Sequence, residues 1–333
     1  MAKRSGARGA VRECARSVVV TVPAYTDDAA RAAHCWFKSD RVPRDPASTT
    51  WTRLARWRQA QWREARRYPI GGQPYRCGPG SKPVGSRLAL DFAMATGKNF
   101  VTPAALAAVR ARLAAPEPFE MLRADRLWAD LLSSMPLCFN LFGGFAGDAE
   151  AAGRAVRAWW PDAPTGKVSV RFEHSPGRRD PAFLGNQSAF DVAFEIDAGG
   201  IIGVETKYHE HAVVERQPKP AALARYVEVT ERSGAFAAGW RERVLGSELQ
   251  QVWLDHLLVL AMLQHPSRRW TWGRFVLVYP ASNPSFHTAA TRYREVLRDV
   301  STFEARTIEE LVGTPGAIED ATAAAFSERY LQP

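Results

Sequence analysis

Three residues in the second half of the chain have the types and the spacing to cut a phosphodiester bond. Glu205 and Lys207 stand two apart in the run Ile201-Ile202-Gly203-Val204-Glu205-Thr206-Lys207-Tyr208, and Asp191 precedes them. Metal-assisted hydrolysis needs two or more carboxylates to hold a hard cation against the phosphate. It also needs an ammonium group to offset developing charge or help position the attacking water. Side chains two apart on a strand share a face, so Glu205 and Lys207 point the same way. The triplet alone is weak evidence, because a solvated strand face with cross-strand ion pairs produces it too.

The elements that must position these groups can be read around them. Phe190, Val192, Phe194 and Ile196 alternate with Asp191, Ala193, Glu195 and Asp197, the period of a strand, with the apolar set on one face. Ala198-Gly199-Gly200 reads as a turn into the strand that carries Glu205. In such a hairpin Asp191 shares a face with Glu205 and Lys207 only if paired residue numbers sum to an even value. A three-residue loop at 198–200 pairs Asp197 with Ile201 and sets Asp191 opposite Lys207, diagonal to Glu205. Loops of that length favour glycine at their left-handed position. A two-residue loop would send Asp191 to the other face unless a bulge intervened.

Further strands are expected at 168–172 and 275–279, and helices at 102–115, 120–134, 221–230 and 247–265. Thr102 caps the first of these, with Pro103 in its first turn, and Pro136 stops the second. The Gly- and Pro-rich stretch 71–86 reads as a loop. The order is helix, three strands, a helical region and a further strand. That predicts an α/β (α+β) fold, a mixed central sheet with flanking helices around an αβββαβ core.

The net charge of +9 is unevenly placed. Residues 1–100 carry 19 Lys/Arg against 7 Asp/Glu, while the remainder carries 25 against 28. A one-sided positive field favours a polyanion, although solubility alone would also explain it. Three regions are expected: a flexible basic terminus (1–17), a basic N-terminal region (18–116) and the catalytic core with its C-terminal helices (117–333). A helix at 50–68 interleaves tryptophans with arginines, which makes Arg58, Arg63 and Arg67 candidates for phosphate contacts. The plainer alternative is a helix that buries its tryptophans and solvates its arginines.

No apolar run is long enough to cross a bilayer, and the stretch nearest the N-terminus is too short for a signal peptide. These features predict a cytoplasmic protein without membrane contact. Cys14, Cys35, Cys77 and Cys138 are scattered, which argues against a disulfide framework or a structural zinc site. Gly166-Lys167-Val168 fails as a phosphate loop, since Pro161 stands where its first glycine belongs, so no nucleotide cofactor is expected. His209 and His211 flank Glu210 without a third spaced ligand and read as a polar strand end.

Asp191 followed by Glu205-Thr206-Lys207, in a helix–strand–strand–strand–helix–strand order, resembles the PD-(D/E)XK nuclease superfamily. More narrowly, four segments resemble a bacterial family grouped with restriction endonucleases. They are Leu132-Ser133-Ser134-Met135-Pro136-Leu137-Cys138-Phe139-Asn140-Leu141-Phe142-Gly143, Phe172-Glu173-His174-Ser175-Pro176-Gly177-Arg178, Ser188-Ala189-Phe190-Asp191 and Glu205-Thr206-Lys207-Tyr208-His209-Glu210. The resemblance implies that Asp191 and Glu205 are metal ligands, that Thr206 offers its carbonyl and that Lys207 is catalytic. Phe190 stands where the superfamily has proline. It also implies a glutamine from the helix after the Glu-x-Lys strand, for which Gln251 is preferred over Gln250. A further carboxylate is implied, with Glu173 and Glu120 as rivals. Read from the residues alone, the loop that begins at His174-Ser175-Pro176 makes Arg178 a candidate phosphate contact. The expected activity is endonucleolytic hydrolysis of DNA in restriction or host defence, with Mg²⁺ or alternatively Mn²⁺. Cutting both strands takes two active sites and so implies a homodimer. A catalytically idle DNA-binding or scaffold protein, or an RNA-directed nuclease, would share the same fold.

Overall fold

The computed structural model describes residues 26–35, 49–74 and 81–331. The basic terminus 1–17, Cys14 and Cys77 lie outside the described residues. The chain opens with α1 (Asp27–Ala32) and α2 (Thr49–Ala65), a hairpin of β1 (Ile70–Gly72) and β2 (Pro83–Leu88), and α3 (Leu90–Thr96). Next come α4 (Pro103–Ala114), α5 (Ala124–Ala129), α6 (Ser134–Phe142) and α7 (Ala149–Trp159). Strands β3 (Val168–His174), β4 (Phe190–Ile196) and β5 (Gly200–Thr206) lead to α8 (Pro220–Ser233), α9 (Trp240–Val244) and α10 (Gln250–Leu263). The chain closes with β6 (Trp272–Tyr279), α11 (Pro284–Arg294), β7 (Phe303–Thr307), α12 (Ile308–Val312) and α13 (Asp320–Tyr330).

The main sheet has the order β3-β4-β5-β6-β7, antiparallel over its first three strands and parallel over the last three. It is the mixed sheet expected, extended by β7. Helices cover both faces, which is why β5 and β6 are nearly continuous apolar runs. On one face Val192, Phe194, Val204 and Val276 meet Leu137, Phe142 and Trp159. On the other, Ala193, Ile201, Phe275 and Leu277 lie under Leu257, Val259 and Leu260 of α10. The first cluster runs from Trp51 and Trp62 of α2 to Tyr330 of α13, so it crosses the boundary expected at residue 116.

Several local expectations hold in detail. Thr102 caps α4, its Oγ1 accepting from Ala105 N at 3.1 Å, and Pro103 opens the helix. Others are corrected. The Gly- and Pro-rich stretch holds the β1–β2 hairpin, in which Gly71 approaches Leu88 so closely that a Cβ would stand 2.2 Å from its carbonyl oxygen. The helix expected over 120–134 is a short α5 preceded by irregular chain. Pro136 does not end it but lies in the first turn of α6, where its missing N–H costs nothing.

The β4–β5 hairpin pairs Ile196 with Gly200, so its three-residue loop is 197–199 rather than 198–200. The reason is the left-handed loop residue, which is Gly199 (φ +81°) and not Gly200. An odd-length loop is kept, but the register moves by one pair. Phe190 also departs from expectation: its ring lies under Gly203 on the α10 side of the sheet, opposite Val192 and Phe194. A Cβ at Gly203 would meet that ring at 2.3 Å. Gly203→Val therefore overpacks the sheet and is expected to lower stability by about 1–3 kcal/mol. A denaturation midpoint unchanged from wild type would contradict this contact.

Candidate active site

The last register pair between β4 and β5 is Val192–Val204. Beyond it, Asp191 reaches β5 with its side chain. Its Oδ2 accepts from Thr206 N at 2.8 Å and from Thr206 Oγ1 at 2.5 Å. The carboxylate thus takes up a backbone donor that a strand partner would otherwise satisfy. Lys207 Nζ donates to Glu205 Oε1 at 2.7 Å, with both side chains mostly buried. Asp191, Glu205 and Lys207 are therefore gathered at the C-terminal end of β5, although Asp191 bonds to Thr206 and does not stand opposite Lys207.

The chain just after β5 is clamped from two sides. Trp51 Nε1 of α2 donates to Tyr208 O at 2.9 Å, and Thr52 Oγ1 donates to His209 O at 3.0 Å. From the other side Asn283 Nδ2 donates to Tyr208 O at 3.1 Å and Glu210 O at 2.9 Å. Lys207 N itself donates to Val278 O of β6. Backbone groups that leave the ladder are thereby satisfied, and the segment 207–210 is held by α2, Asn283 and β6.

Two further carboxylates join the cluster. Glu173 sits near the end of β3 with φ +49°, a left-handed conformation for a non-glycine residue. Arg178 Nη2 donates to its carbonyl at 2.6 Å. Backbone strain of this kind concentrates at functional sites. Burial, reinforced by the charge on Asp191, pushes the Glu173 carboxyl up to about 7. Asp255 of α10 is the residue the sequence reading missed. Burial pushes its carboxyl up to about 7 against the pull of Lys207, and its buried Oδ2 has no hydrogen-bond partner among the described residues. A signal was present: Asp255 is the one acid in a helix that is mostly apolar after its opening glutamines, four residues after Gln251 and so on the same face.

The charges explain one another. Burial and the Asp191 charge raise Glu205 well above the usual carboxylate range, and burial raises Asp191 against its bonds from Thr206. Burial pulls Lys207 down, but Glu205, Asp255 and Glu210 outweigh it and hold the ammonium group above its ordinary value. One ammonium is thus set among an excess of buried acid, and such a group is relieved either by protons or by a divalent cation.

The residues fit a hard cation by their chemistry. Among the described residues, no three His, Cys, Asp or Glu side chains are arranged around a common ion position. Mg²⁺ needs fewer, since it keeps several waters and is commonly held by one or two carboxylates. Asp191 and Glu205 are two such carboxylates, and the buried Asp255 Oδ2 without a partner among the described residues leaves further acceptor capacity in the cluster.

The remaining candidates fall into place differently. Gln250 is buried and committed, with Oε1 accepting from Gly246 N and Nε2 donating to Arg216 O, both at 2.8 Å. Gln251 is half-buried and takes part in neither bond. Glu120 is not in a helix and pairs with Arg112 at 2.6 Å, so of the two rivals it is Glu173 that lies beside Asp191.

Two expected phosphate contacts are turned inward. Arg178 is buried and bonded to Glu117 and to the Glu173 carbonyl. Arg63 donates to Gly85 O and Tyr68 O. Both are spent on bracing the backbone near polar groups that would otherwise be orphaned. Arg58 is half-buried over the Trp51 ring, and Arg67 is exposed. Cys35 and Cys138 are free and buried, and no helix among the described residues is long and apolar enough to cross a membrane.

Compared with known proteins, residues 43–332 match the family model of the PD-(D/E)XK nuclease superfamily. No curated protein and no solved structure matches the chain.

Proposed function

Since the chain belongs to the PD-(D/E)XK nuclease superfamily, we propose that it is a divalent-metal-dependent endonuclease that hydrolyses DNA in restriction or host defence. The observation that carries this reading is the meeting of Asp191, Glu205 and Lys207 at one end of β5, within a buried excess of acid. The DNA substrate is supported by the excess of Lys and Arg in the first hundred residues. The defence role is supported by the segments that resemble restriction endonucleases.

In this reading Asp191, Glu205 and the Thr206 carbonyl would hold Mg²⁺ or Mn²⁺, which would supply Lewis acidity at the phosphate and ease deprotonation of a water. Lys207, kept charged by Glu205, offsets the negative charge that builds on the phosphate and orients the water through its N–H groups. Gln251, one helical turn before Asp255 on α10, would position the water or a phosphate oxygen. Glu173, close enough to Asp191 to feel its charge, would add a further carboxylate to the metal site from β3. Assembly into a homodimer would supply a second site for the second strand.

Supercoiled plasmid and an RNA of matching sequence, each incubated with Mg²⁺ and with EDTA, test the proposal. Nicking of the plasmid in Mg²⁺ and none in EDTA is expected. Equal nicking in EDTA would remove the metal, and cleavage confined to the RNA would replace the substrate.

A further inference from the structure

Two residues past Lys207, His209 turns into the wall of a pocket of about 270 Å³. Arg56 of α2, Arg87 of β2, Arg123 and Arg126 bring four guanidinium groups to it, against the two carboxylates of Asp125 and Asp130. His209 adds no charge near neutrality, because burial lowers its imidazole below the ordinary value. Among the described residues the wall is therefore rich in guanidinium, with the Glu210 carboxylate 3.7 Å from Arg126.

These groups are arranged and not merely nearby. Arg87 Nη1 donates to Asp130 Oδ2 at 3.3 Å, and Arg123 Nη2 lies 3.1 Å from Asp125 Oδ2. Arg126 Nε donates to Ser133 Oγ at 2.6 Å, which fixes the plane of its guanidinium. Arg87 is 6% exposed, yet its Nε has no hydrogen-bond partner among the described residues. A buried guanidinium N–H left unpaired is costly, so this wall keeps unspent donor capacity close to the cavity.

We propose that this pocket binds a phosphomonoester, the phosphate carried by a nucleic-acid strand end or by a free mononucleotide. A phosphomonoester bears close to two negative charges near neutrality and an internal phosphodiester one, so a cluster of guanidinium groups favours the strand end. Its oxygens suit forked guanidinium donors better than a single point charge would. The volume falls just below the roughly 300–1,000 Å³ of small-molecule pockets, enough for a phosphate and its adjoining sugar and too small for a duplex. The inference rests on the nuclease reading only for the identity of the polymer.

Fluorescence anisotropy in EDTA tests it, with labelled single-stranded oligonucleotides ending in a 5′-phosphate, a 3′-phosphate or hydroxyls alone. A phosphorylated end is expected to bind about tenfold more tightly than a hydroxyl end, the scale of one or two charge-assisted hydrogen bonds. Arg123→Gln and Arg126→Gln, whose side chains are 44% and 40% exposed and so leave the core intact, are expected to abolish that preference. Arg87→Gln tests the deeper contact. Competition by dAMP in wild type but not in Arg126→Gln assigns the site to the phosphate group of a free nucleotide as well. End preference without such competition assigns it to strand ends. Equal affinity for phosphorylated and hydroxyl ends, with no competition by dAMP, overturns the proposal. Because binding is read without cleavage, a nuclease lacking end preference sinks the pocket alone, and end preference without cleavage sinks the nuclease reading alone.

Discussion

Lys207→Met is expected to lower metal-supported cleavage by about three powers of ten, the equivalent of several kcal/mol of lost charge stabilisation in the transition state. Methionine keeps the length and bulk of the side chain and removes its charge and its donors. What disappears is the bond from Nζ to Glu205 at 2.7 Å and the positive charge that Asp191 and Asp255 also feel. Lys207→Arg keeps the charge but spreads it over a wider planar group, so partial recovery is expected. Single-turnover rates on plasmid DNA, with circular dichroism to confirm folding, provide the measurement. A rate within tenfold of wild type would remove Lys207 from the chemistry and leave it a structural partner of Glu205.

The second large effect is a stability that falls as pH rises and that metal restores. Glu173 and Asp255 titrate at about 7 in the folded chain, and Glu205 and Asp191 are also raised. In the unfolded chain such groups titrate near 4. Between these limits the folded state binds more protons than the unfolded one, so unfolding becomes easier with each step toward neutral pH. The stabilisation is fully present below about pH 4 and is lost as pH rises through about 7. For several coupled groups the loss is of order a few kcal/mol.

This sign is opposite to that of Glu117, where the bond from Arg178 and the nearby His174 outweigh burial and hold the carboxyl at about 2. Its contribution is present above pH 4 and is lost only as pH falls toward 2. A divalent cation competes with protons for the acid cluster, so Mg²⁺ should raise the melting temperature little at pH 5 and clearly at pH 8. Melting curves across that range, with Mg²⁺ and with EDTA, check it. A melting temperature indifferent to metal at pH 8 would mean that the cluster does not hold the ion.

Much of this site was legible before any coordinates. The alternation around Val192, Phe194 and Ile196, the Gly199-Gly200 turn and the Glu205-Thr206-Lys207 triplet specify a hairpin with one acid on each strand. Period-two burial and left-handed glycine are local constraints, and a short window of sequence carries them. Even there, a choice between two adjacent glycines moved the register by one pair, because either could occupy the left-handed position. Phe190 was misread for a different reason: its place depends on the space left by Gly203 on the neighbouring strand.

The arginines show the limit most clearly. By type and spacing, Arg58, Arg63, Arg67 and Arg178 were equivalent candidates for phosphate. Arg63 and Arg178 instead turn to carbonyls and a carboxylate, while Arg87 and Arg126, which no pattern singled out, line a basic pocket. Asp255 likewise acquires its meaning from α10 lying over β5, and Glu173 from a left-handed bend beside Asp191.

The sequence by itself determined the types of the reacting groups, the strands that carry them and the charge that suits a polyanion, since these follow from side-chain chemistry and short-range periodicity. Tertiary structure alone decided how many acids share the buried site, which arginines remain available and where a pocket opens. Those outcomes depend on burial and on contacts between residues far apart in the chain, which raise a carboxyl or occupy a guanidinium according to what folding brings beside it.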